Sequence, residues 1–135
     1  MSDPNAAPQR GLAGRSAAAR SVTVFGLYLV VLGAGLALAP NAMLAIFRQP
    51  PTSEPWLRVL GIVACVLGGY YLAAARGEAV VFFRASVWGR VVGAAAFALL
   101  VVCGIAPKFV LLMAALDAAG AAWTRGALGN SSATR

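Results

Sequence analysis

One carboxylate, Asp117, stands near the middle of the apolar run 110–125, VLLMAALDAAGAAWTR. An acid in such a run is expensive to bury, so by default it is either paired or functional. Helical spacing puts Gly120, Ala121 and Thr124 on its face, at i+3, i+4 and i+7. Two arginines inside other apolar runs, Arg58 and Arg90, are the available counter-charges. Tyr70 and Trp88 share those two runs and complete the constellation. Three arrangements are open. Asp117 and Arg90 can form a fixed ion pair that sets helix register. They can line a binding cavity or polar relay for a small molecule, a lipid head or a proton. Or Asp117 can stay neutral, bonded to a backbone carbonyl.

Other chemistry is thin. The chain has no His and two isolated Cys, so no zinc, haem or iron–sulfur ligand set exists and no cofactor is expected. Cys65 and Cys103 lie in apolar runs and read as small hydrophobes. Ser86 has no base beside it, which leaves a serine nucleophile unsupported. No phosphate-loop spacing is present. Catalytic residues are therefore not expected.

Composition determines what must position these groups. Hydrophobic residues make up 61% of 135 and charged residues 11%. Soluble domains carry roughly 25% charged residues, and a chain with so little polar surface belongs in a membrane. Net charge is +7, with ten Arg and one Lys. Most of these flank apolar runs, where they set topology and meet anionic headgroups. No aromatic-interleaved basic patch lies outside the runs, so nucleic acid is not an expected partner.

In chain order, residues 1–20 are polar, small and basic and read as a disordered cytoplasmic tail. The first span is expected at 22–39, about 27 Å long as a helix. A cleavable signal is disfavoured because the run exceeds a signal core and Pro40 follows the would-be cut. Pro40 and Asn41 stop the helix, and Met43, Leu44, Ile46 and Phe47 suggest a short interfacial amphipathic turn. The second span is 56–75, with small-residue faces at Gly61/Cys65 and Ala64/Gly68. The third is 80–106, where Gly89 and Gly93 suggest a close backbone contact beside Arg90. The fourth is 108–128, and 129–135 is a short tail.

An even number of spans puts both termini on one side. Arg10, Arg15, Arg20, Arg76, Arg84, Arg125 and Arg135 gather there, against Arg48, Lys108 and a shallow Arg58 opposite. The positive-inside rule makes that side the cytoplasm, at the cell (inner) membrane. Short connections favour antiparallel neighbours, so the expected fold is all-α, a compact antiparallel four-helix membrane bundle. Asp117 then lies near mid-membrane, about 13 Å from Lys108 and about 12 Å from Arg125. Arg90 is its preferred partner, since Arg58 reaches outer water more cheaply.

The pattern Arg58-Val-Leu-Gly61, then 68–76 GGYYLAAAR, Trp88-Gly-Arg90 and 116–124 LDAAGAAWT resembles small bacterial four-span proteins of the BphX-like kind and related domains. The resemblance covers residues 22–128. It implies no established activity and marks Arg58, Arg90, Asp117, Trp123 and Thr124 as positions of interest. Two functional classes follow from the residues. One is a non-enzymatic protein, an accessory subunit of a larger membrane complex or a binder of lipid or a hydrophobic small molecule. The other is a transporter or channel using Asp117 and Arg90. Four spans rarely enclose a pore, so that second class needs a homo-oligomer.

Overall fold

A computed structural model describes residues 15–133 of the chain. Among them the only regular elements are five helices: α1 (Ala17–Leu38), α2 (Pro40–Ile46), α3 (Trp56–Arg76), α4 (Val80–Val102) and α5 (Val110–Ala133). Three of these, α1, α3 and α4, are long and apolar enough to cross a membrane. α5 is as long, but Asp117, Thr124, Arg125 and Asn130 dilute its apolar character. The basic tail expected over 1–20 falls mostly outside the described residues.

Local chemistry explains where the boundaries differ from the expected ones. α1 starts five residues before the expected span because Ser16 caps it, its hydroxyl accepting from the Ala19 N–H at 3.1 Å. Glu78, from the turn between α3 and α4, accepts from the Ser16 N–H (2.9 Å) and hydroxyl (2.6 Å). A carboxylate thus sits at the positive end of α1. Pro40 stops α1 and also begins α2 at its first turn, where a missing N–H costs nothing. α4 ends at Val102, four residues before the expected 106. Gly104 has φ +71°, its N–H bonds to Val101 O, and the Ile105 N–H reaches Leu100 O. That is a Schellman stop, which needs a residue free to adopt the left-handed conformation.

α1 and α3 pack antiparallel with their backbones almost touching. A Cβ on Gly61 would lie 2.5 Å from Gly33 O, and one on Gly68 would lie 2.7 Å from Gly26 O. The Cys65 thiol completes this seam by reaching Val30 O at 3.5 Å. α4 and α5 form the second antiparallel pair, and α1 joins the two pairs through α5. The short turn 77–79 predicts that α3 and α4 pack as neighbours, but they diverge instead. α3 has committed its small face to α1, and α4 turns Arg90 toward α5. At the end where α3 meets α4, the helices close over a packed core that includes Val22, Tyr71, Ala75, Phe83 and Ala127. Beyond that core the divergence opens a cleft.

Candidate functional site

The cleft is a cavity of about 650 Å³ with walls from all five helices. Leu29, Leu32 and Leu36 come from α1, Leu60, Val63 and Leu67 from α3, and Phe97 from α4. Met43 and Leu44 of α2 line the end away from the core, where Phe47 stacks on Phe109 with centroids 4.7 Å apart. Leu60, Val63 and Leu67 are also exposed, so the cavity opens sideways between α3 and α4. Its walls are almost wholly apolar. Arg90 and Asp117 are the charged residues on them.

Arg90 is only 3% exposed. Its Nη1 donates to the Thr124 hydroxyl at 3.3 Å. Thr124 in turn donates to Gly120 O at 2.9 Å and lies 3.0 Å from the Ser21 hydroxyl on α1. The guanidinium carbon sits 3.7 Å over the Phe25 ring and 5.2 Å from the Tyr71 ring centroid, a cation–π setting that fixes its plane. Gly120 makes this passage possible, because a Cβ there would lie 2.8 Å from Nη1. Nε and Nη2 are buried and have no hydrogen-bond partner among the described residues. Buried donors left unpaired are rare and ask for an explanation.

Asp117 projects from α5 toward α4, with Oδ2 3.3 Å from where a Gly93 Cβ would stand. Among the described residues it makes no ion pair within 4.0 Å and no hydrogen bond. The fixed Asp117–Arg90 pair is therefore absent from this arrangement. What remains is two opposite charges on one cavity wall. The Gly89/Gly93 pair does not bring backbones together either. Nothing lies within 4 Å of a Cβ at Gly89, which faces the cavity.

The structure thus gathers Arg90, Asp117 and Thr124 at one place and puts the other candidates elsewhere. Arg58 donates to Ala37 O (2.6 Å) and Leu38 O (3.3 Å), closing the C-terminal end of α1. Tyr70, Trp88 and Trp123 face outward, Trp88 being 70% exposed. The site also uses Ser21, Phe25, Tyr28 and Tyr71, which residue chemistry alone did not single out. Tyr71 had a legible signal: it follows Gly68 by three and precedes Ala75 by four, on the stripe that packs inward. Tyr70 is turned 100° away. Tyr28 faces the cavity and donates to the Met113 sulfur at 3.0 Å. Ser21 and Phe25 carry no such mark, since their roles depend on which helix faces them.

Comparison with protein-family models, with curated proteins and with solved structures finds no match to this chain.

Proposed function

We propose that the chain is a four-span protein of the cell (inner) membrane, with both termini cytoplasmic, that binds a lipid or hydrophobic small molecule without chemically altering it. α5 serves as the fourth span, and the end carrying Arg15, Arg20, Arg76, Arg84 and Arg125 faces the cytoplasm. The observation that carries the binding reading is the cavity of about 650 Å³, apolar over almost all of its wall, with Arg90 and Asp117 as the charged residues on it. Ligand pockets have that composition, with apolar walls and a few convergent polar groups that orient the guest. The packed core beneath Arg90 favours binding over a channel, because it seals the cavity at one end.

Photolabelling in lipid nanodiscs with a dodecyl diazirine tests the reading. Saturable labelling of Leu60, Val63 and Met113, abolished by Ala64→Trp, is the expected result. Unsaturable labelling confined to outward residues such as Val31, Val81 and Val102 would overturn it. Topology is checked by thiol labelling of single-cysteine variants. Ala45→Cys and Pro107→Cys should react from outside and Gly77→Cys from the cytoplasm.

A further inference from the structure

We propose that the cavity takes a long apolar molecule headed by an uncharged hydroxyl, which donates its proton to the Asp117 carboxylate. This rests on the cavity being a binding site and adds the chemistry of what it binds.

The anchor follows from which polar atoms a guest can reach. Val110, Met113 and Asp117 share one face of α5, and all three line the cavity. Asp117 Oδ2 stands beside Gly93, where α4 has no side chain. The acid accepts no hydrogen bond among the described residues, and neither of its oxygens is closed off as Arg90 Nε and Nη2 are. Arg90 brings its charge to the wall but no open donor, since those two nitrogens are enclosed and Nη1 is on Thr124. Asp117 is thus a reachable acceptor on an apolar wall.

The head group follows from that acceptor and from charge. An ionised carboxylate only accepts, and leaving it unpaired among apolar groups is costly, so the guest must bring a donor. Ethers, esters and hydrocarbons bring none. Arg90 and Asp117 are the charged residues on the wall, and their charges cancel. An ammonium or a carboxylate guest would leave a net charge in a low-dielectric setting, which is strongly disfavoured. A hydroxyl supplies the donor and leaves the sum at zero. Its oxygen also has a partner within reach. Tyr28 lines the cavity and spends its proton on the Met113 sulfur, a weak acceptor. Met113 precedes Asp117 by one turn, about 6 Å, so a guest oxygen that donates to Asp117 can accept from Tyr28. The chain then has the α3 wall to lie on, apolar from Leu67 through Val63 and Leu60 to Leu57.

The test is equilibrium binding to the full chain in zwitterionic nanodiscs, with probes compared at equal mole fraction in the lipid. The probes are dodecan-1-ol, 1-methoxydodecane, dodecylammonium and dodecanoate. The wild type should bind the alcohol about tenfold tighter than the ether, which lacks the proton, and tighter than either ion. Asp117→Leu should bind alcohol and ether alike. Tyr28→Phe should weaken both by a similar factor, because its proton serves either oxygen. A second measurement needs no variant at Asp117. The chain holds two aspartates, Asp3 and Asp117, so carbon-13 labelling of aspartate carboxyls makes the Asp117 stretch visible in the infrared. That band should shift with the alcohol and stay put with the ether. Equal saturable binding of alcohol and ether, tightest binding of dodecylammonium or dodecanoate, or an unmoved band overturns the head-group assignment and leaves the cavity reading standing. Failure of every probe to bind saturably overturns both.

Discussion

The α1–α3 seam and the α3–α4 cleft are built from the same residue types and do opposite things with them. In the seam, Gly33, Gly61 and Gly68 let two backbones approach until no Cβ would fit, and Gly26 leaves only a tight space for one. Gly89, on the cleft wall, meets nothing, while between α4 and α5 Gly93 meets a carboxylate oxygen and Gly120 meets a guanidinium. A small residue therefore marks either a closed contact or a space for a long polar side chain. In lipid, where burial of apolar area drives little helix association, such packing detail decides which helices pair. α3 spends its small face on α1, so its larger residues Leu60, Val63 and Leu67 are left to line a wall.

Breaking the seam should have the largest effect. Gly61→Ala puts a Cβ 2.5 Å from Gly33 O, a contact with rigid backbone. It should cost about 3 kcal/mol, read as a fall in the thermal midpoint in detergent. Thr124→Val should cost about 2 kcal/mol, because the buried Arg90 Nη1 and the Ser21 hydroxyl each lose a partner. Next comes the contrast that sharpens the comparison. Gly89→Ala should stabilise by about 0.5–1 kcal/mol, since helix propensity improves and no atom stands in the way. If Gly61→Ala and Gly89→Ala shift the midpoint alike, the two regions are not built differently. Glu78→Gln should cost about 0.5–1 kcal/mol by weakening the charge-assisted cap on Ser16, with the loss shrinking in high salt. The outward aromatics close the series. Tyr70→Phe and Trp88→Phe should each move stability by less than about 0.5 kcal/mol.

What was legible in the sequence depended on how locally each feature is determined. Apolar run length and flanking arginines predict helices capable of spanning, because a helix in lipid satisfies its own backbone. The shared face of Asp117, Gly120 and Thr124 follows from helical spacing alone, and the structure sets all three around Arg90. The pairing of helices was not legible. The short turn 77–79 places α3 beside α4 at one end, but the competition for α3's small face is decided by α1. Tyr71 shares the inward stripe of Gly68 and Ala75, so its direction was readable, but the Phe25 and Phe82 rings it meets were not. Ser21 shows the same limit from the other side. A lone hydroxyl near the start of α1 acquires a role only because α5 delivers Thr124 to it.

The proposed function depends on α3 and α4 standing apart around an apolar cavity whose wall carries Arg90 and Asp117. A structure of the protein in lipid with 1-bromododecane tests this most directly, because bromine marks the guest by anomalous scattering. The predicted result is bromine inside the cavity, among residues such as Leu60, Val63 and Met113. Helices α3 and α4 packed together, with Arg90 salt-bridged to Asp117 and bromine only on the outer surface, would contradict it.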